Sequence, residues 1–181
     1  MSVQTTYSDA PAAAYSGLLI GDDHDIIPMK NVEASAEMPF GAAVCFKLSS
    51  PATDQDAVLP AAETDTVCGI VVKSNVYDRT YTLMDGSTAG ELGTTGLKPG
   101  AMLNILRKGT IWVYCRTAIA VGDRLWVRAV ASGGSPAEFL GAPENADDGT
   151  DTIDCTKQGV FMSSCAAGGF AKLEVDFTNK P

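Results

Sequence analysis

The chain offers few side chains able to do chemistry. Its one histidine, His24, lies in GDDHDIIP (21–28) beside Asp22, Asp23 and Asp25. An imidazole with carboxylates can ligate a divalent cation, and a carboxylate can activate water for hydrolysis. Neighbouring residues of an extended chain point to alternate sides, however, and no second ligand cluster accompanies this one. The run is therefore expected to be an exposed polar turn. His24 has no nucleophile at motif spacing, and no G-x-S-x-G elbow is present. NADDGTDTID (145–154) has carboxylates but lacks the residue order and terminal Glu of a calcium loop. AAGGFA (166–171) lacks the glycine spacing of a phosphate-binding loop. The five cysteines (Cys45, Cys68, Cys115, Cys155, Cys165) are odd in number and scattered, with no C-x-x-C pair. They are expected to be reduced and mostly buried. The expectation is a protein without catalysis, cofactor or metal.

The residue types that do stand out suit binding. Residues 105–128, ILRKGTIWVYCRTAIAVGDRLWVR, hold both tryptophans and five of the thirteen Lys and Arg residues. The chain as a whole is acidic, with a net charge of −9. Residues 1–97 carry 4 basic and 13 acidic side chains, 98–130 carry 6 and 1, and 131–181 carry 3 and 8. Proteins that bind nucleic-acid backbones gain by neutralising phosphates, so the net charge of −9 argues against nucleic acid as a partner, although the basic residues gather into one band between acidic flanks.

At a strand's period of two, Ile111, Val113 and Cys115 share one face, and Trp112, Tyr114 and Arg116 share the other. Leu125, Val127 and Ala129 likewise oppose Trp126, Arg128 and Val130. The aliphatic faces are core material. The aromatic-and-arginine faces combine types enriched at interface hot spots. The same pattern also arises where the chain's own loops cover such a face and Arg stems lie along the rings. As an interface, the stretch would act as a two-sided strand pair whose basic band meets a partner while the acidic flanks face solvent. The candidate interface set is Trp112, Tyr114, Arg116, Trp126, Arg128, Arg107, Lys108 and Tyr15.

Strands must position these residues. A chain of 181 residues, 45% hydrophobic, suits one domain. No window sustains an apolar period near ~3.6, and the best helix candidate is the short APAAAYS (10–16). Alternating runs predict strands at 42–48, 68–74, 101–108, 110–116, 124–130, 158–164 and 171–177. Turns are predicted at PFG, KPG, KGT, VGD and AAGG. The expected fold is all-β, a compact barrel or sandwich of short, mainly antiparallel strands. Residues 1–16 are expected to form an N-terminal arm and 17–181 a single β domain. Segments 83–100 and 131–151 read as long loops. No apolar run approaches the ~20 residues of a membrane-spanning helix. No signal-like segment opens the chain, so a protein that stays in its compartment of synthesis, with no membrane partner, is expected.

Read in order, AAAYSGLLIGDDHDIIP, EMPFGAAVCF, VCGIVV, LKPGAMLNILRKGTIWVYCRTAIAVGDRLWVR and GVFMSSCAAGGFAKLEV form a series that resembles the cement, or decoration, proteins of tailed-bacteriophage capsids. The resemblance rests on Met38 to Val44, Gly69 and Ile70, Lys98 to Gly100, Arg107 to Gly109, Trp112 and Val113, and Ala120 to Asp123. It covers roughly residues 12–178. This sequence departs from the pattern in inserts at 49–65, 83–96 and 131–151, and in its GDDHD run.

The resemblance implies a non-enzymatic, mostly β protein on the outer capsid surface of the virion, made in the host cytoplasm. Its partner would be the major capsid protein, and it would act as a homo-oligomer, a trimer favoured over a dimer. The 98–130 band would contact the coat or sister subunits, with the arm as a second contact. Charge reversal at Arg116 and Arg128 would then weaken decoration with the fold intact. Two other readings are a phage tail or baseplate β-module that binds a host glycan, and a hydrolase working from Asp22, Asp23 or Asp25.

Overall fold

The computed structural model describes residues 15–33, 37–47, 55–73, 81–82, 88–89, 96–131 and 140–178. In chain order the strands are β1 (Leu19–Asn31), β2 (Met38–Pro39), β3 (Ala43–Phe46), β4 (Asp56–Val58), β5 (Val67–Val72), β6 (Tyr81–Thr82) and β7 (Thr88–Ala89). They continue with β8 (Gly96–Leu97), β9 (Met102–Cys115), β10 (Trp126–Arg128), β11 (Pro143–Glu144), β12 (Thr152–Asp154), β13 (Gly159–Phe161) and β14 (Gly169–Asp176). A single 3-10 turn, Gly149–Asp151, is the only helical segment among the described residues.

Five strands close a ring. β1 pairs in parallel with β4, while β4 with β3, β3 with β5, β5 with β9, and β9 with β1 are all antiparallel. Closure leaves this part of the sheet without a free edge to attract other chains. One core holds Met29, Met38, Val44, Leu97, Leu103 and Ile105. A second core holds Ile70, Leu106, Ile111, Val113, Phe161 and Leu173 of the main sheet together with Leu125, just before β10, and Val127 and Ile153 of the β11-β10-β12 sheet. The fold therefore joins a small barrel to a sandwich, within the all-β expectation.

β9 links the two cores. The expected KGT turn between two strands is corrected here: the chain runs unbroken from Met102 to Cys115. Leu106 and Ile111 both face the second core, although unbroken alternation would place residues five apart on opposite faces. The phase shift is taken up around Gly109, whose φ of 133° suits glycine. Its missing side chain matters as well. A Cβ there would stand 2.7 Å from His24 Cδ2 and 3.0 Å from the Asp23 carbonyl oxygen.

The same contact corrects the expectation for GDDHD. These residues lie inside β1, where the register jumps from Ile20 opposite Thr110 to Asp25 opposite Lys108. They form a bulge rather than a free turn, and His24 is half-buried, with Nε2 3.0 Å from the Ile20 carbonyl oxygen. Asp22 and Asp23 are exposed. Among the described residues no group of three His, Cys, Asp or Glu is placed to hold a metal.

The alternation did not predict the long β1, whose pattern the GDDHD bulge interrupts, nor several short strands. β4 lies in the 49–65 insert and β11 in the 131–151 loop, each too brief to show a period. The KPG turn is pinned by Asn31, which is fully buried. Its Nδ2 donates to the Leu97 carbonyl at 3.1 Å, its backbone carbonyl accepts from Gly100, and its Oδ1 accepts from Glu33. Residues 1–14, including most of the expected arm and of the 10–16 helix, lie outside the described residues.

Candidate interface

Past Gly109, the second half of β9 lies between β14 and the start of β1, and its two faces separate as alternation requires. Ile111, Val113 and Cys115 are fully buried, while Trp112 and Tyr114 are half-buried on the opposite face. Register adds the cross-strand neighbours of that face: Lys172 opposite Trp112 and Phe170 opposite Tyr114. The Lys172 ammonium sits 5.4 Å from the Trp112 ring centroid, a cation–π distance. The Tyr114 and Phe170 rings meet edge to face, with centroids 5.8 Å apart. Glu174 opposite Thr110 and Val160 opposite Glu174 extend the row across the sheet. Met162, whose amide donates to the Lys172 carbonyl, is 50% exposed at its margin.

The start of the described chain is clamped to one end of this face. The Gly17 amide donates to the Trp112 carbonyl at 2.8 Å, and the Tyr114 amide donates to Ser16 Oγ at 3.3 Å. Tyr15 is exposed, with the Lys73 ammonium 4.4 Å from its ring centroid. Gly17 is required here: its φ is 86°, and a Cβ would lie 2.8 Å from the Lys73 amide nitrogen.

The remaining residues of the predicted set are not gathered on this face. The two strands expected to pair with each other do not: β9 pairs with β1, β5 and β14, whereas β10 lies between β11 and β12 in the smaller sheet. Trp126 is half-buried there. Arg128, expected beside it on an outward face, is instead only 4% exposed. Its Nε and Nη2 donate to the two Glu144 carboxylate oxygens at 3.1 and 2.7 Å, and its Nη1 donates to Asp148 at 2.7 Å. Burial opposes the Arg128 charge, yet its hydrogen bonds to Glu144 and Asp148 carry its pKa above the ordinary value. The chain's own 140–151 segment thus covers this arginine.

The basic band also breaks up in three dimensions. Arg107 lies 3.9 Å from Asp25, and Lys108 lies 3.6 Å from Asp176, so acidic residues from both flanks come to meet it. Arg116 follows β9 and is half-buried. Arg124 forms an isolated bridge with Val160 and lines a cleft of about 470 Å³ over Gly109 and Thr110. That cleft has carboxylates (Asp22, Glu174, Asp176) and cations (Lys108, Lys157) on its walls. The acidic 145–154 run is spent on its own loop: Asp147 accepts from Gly149 and Thr152, and Asp148 binds Arg128.

Sequence reasoning missed Phe170 and Lys172. The signal was present in GFAKLEV, where Phe170, Lys172 and Glu174 alternate with buried Ala171, Leu173 and Val175. The predicted strand began one residue too late to include Phe170.

The β9–β14 arrangement is a partly exposed aromatic face backed by a packed core. None of the curated proteins compared with the chain matches it. The pattern of the structural cement protein family (E217 gp24/Pam3 gp6), in contrast, matches residues 3–176. The chain belongs to this family of bacteriophage structural cement proteins.

Proposed function

We propose that this chain binds the outer face of the shell built by the major capsid protein, and that the β9–β14 aromatic face makes the contact. The observation that supports this reading is the row of Trp112, Tyr114, Phe170 and Lys172, half-buried on one side of a sheet whose other side is fully packed. Aromatic groups on a stiff backbone lose little side-chain entropy on binding and remove a large apolar area from water. A cement protein must hold neighbouring coat subunits together under the outward pressure of packaged DNA. It does so with contact surfaces on the order of 1,000 Å² and with several simultaneous contacts. The protein acts as a homo-oligomer, a trimer favoured over a dimer, with residues 1–16 as an arm that adds intersubunit contact.

The test is decoration of purified shells by the Trp112→Ala, Tyr114→Ala double variant, with Trp126→Ala as the comparison. Loss of two hot-spot aromatics weakens binding by roughly 1,000-fold at ~2 kcal/mol each, with the circular dichroism spectrum unchanged. Decoration by the double variant at wild-type affinity would remove the aromatic face from the contact. If the isolated protein ignored shells and bound host glycans, the tail-module reading would replace this one.

A further inference from the structure

Five free thiols lie within the described residues, and two of them are brought together by the fold. Cys115 ends β9 on the core side, and its register partner on β14 is Gly169. Cys165 precedes the 166–169 turn and is held by a two-way backbone bridge: the Ile119 amide donates to the Cys165 carbonyl at 3.0 Å, and the Cys165 amide donates to the Ile119 carbonyl at 3.1 Å. The turn is closed onto β9 by the Gly168 amide, which donates to the Cys115 carbonyl at 2.9 Å. A side chain at Gly169 would occupy the space facing Cys115. Because glycine has none, Cys165 enters that space, its Cβ only 3.2 Å from where a Gly169 Cβ would stand. Cys115 belongs to the second core and Cys165 packs against it; the Cys115 thiol donates to the Val113 carbonyl at 3.7 Å, and burial followed by the neighbouring Cys165 raises its pKa. The remaining cysteines are arranged differently. Cys45 and Cys68 belong to different cores, Cys68 turns its thiol to the Met29 sulfur, and Cys155 is buried.

We propose that Cys115 and Cys165 form a latent intramolecular disulfide, open when the chain is kept reduced and closed by a small-molecule disulfide such as oxidised glutathione. The half-buried Cys165 reacts first. Its thiolate attacks one sulfur of the oxidant, forms a mixed disulfide and releases one glutathione thiolate. The Cys115 thiol then gives up its proton and attacks the Cys165 sulfur, expelling the second glutathione. The protein loses two hydrogens, and the oxidant is reduced to two thiols. Burial raises the Cys115 pKa, which slows the second step without blocking it. The bond would tie the end of β9 to the 165–169 turn, beside Tyr114 and Phe170. A protein made under reducing conditions and later exposed to an oxidising medium would acquire it after assembly. This inference does not depend on which surface meets the shell.

The folded protein would be incubated with oxidised glutathione, alkylated, digested and analysed by tandem mass spectrometry. The expected product is one linked pair of peptides containing Cys115 and Cys165, with Cys45, Cys68 and Cys155 alkylated only after unfolding. The oxidised form should melt higher by roughly 5–15 °C, reversibly with a dithiol reductant. Cys165→Ser should abolish both effects, whereas Cys155→Ser should keep them. A persistent glutathione adduct on Cys165, an intermolecular dimer through Cys165, or a different linked pair would each overturn the proposal.

Discussion

Arg128→Ala separates two readings of the same side chain. As a docking residue, its loss would weaken decoration and leave the fold alone. As the centre of a cage, its loss strands a carboxylate: the Arg128 and Glu144 side chains are 4% and 6% exposed, and they share two hydrogen bonds of 2.7 and 3.1 Å. Removing one partner of such a pair costs about 3–5 kcal/mol, mostly from the charge left unpaired. The Asp148 contact adds little, because that carboxylate is 61% exposed and screened by water. For a protein of this size the total corresponds to a fall in melting temperature of about 6–20 °C. Urea denaturation reads the loss as a lower midpoint at unchanged slope. The double variant Arg128→Met, Glu144→Leu removes both charges together and should recover most of the stability. A loss below ~1 kcal/mol in the single variant, or a double variant no more stable than the single, would refute the cage.

Gly109→Ala should destabilise the protein by about 1–3 kcal/mol, because its φ of 133° and the 2.7 Å approach of His24 leave no room for a Cβ. An unchanged melting temperature would show that the β1 bulge yields freely. The stability profile should also have an acid limb. The Asp123 carboxyl is held below its usual range by the Ala120 amide and Asn145, that of Asp154 by Thr156, and that of Asp176 by Thr178 and then Lys108. A depressed folded pKa gives stability that is present above the unfolded value near ~3.9 and lost as pH falls through the folded value. Melting temperatures should hold from neutral to about pH 5 and fall below about pH 4. Asp123→Asn should remove part of that fall; a variant whose acid limb matched the wild type would assign it elsewhere.

Much of this protein could be read from its sequence because the physical signal was local. Alternation in TIWVYCR puts Ile111, Val113 and Cys115 on a core face and Trp112 and Tyr114 on the opposite one, since a strand's period of two depends only on its own backbone. Gly and Pro punctuation placed most of the turns, and the ordered series of short motifs pointed to the cement family. What one strand could not carry was the identity of its neighbours. Trp112 and Trp126 lie close in sequence but in different sheets, because pairing partners are chosen by long-range burial. Arg128 and Arg107 look alike in a charge count, yet only the folded 140–151 segment closes over Arg128. The KGT tripeptide has turn composition, and whether the chain reverses or merely shifts phase at Gly109 is settled by His24 packing above it from β1. Period, composition and punctuation belong to the chain itself. The aromatic face, the arginine cage and the Cys115–Cys165 contact exist only once distant segments have packed, because each is made by residues whose separation in sequence carries no record of their meeting.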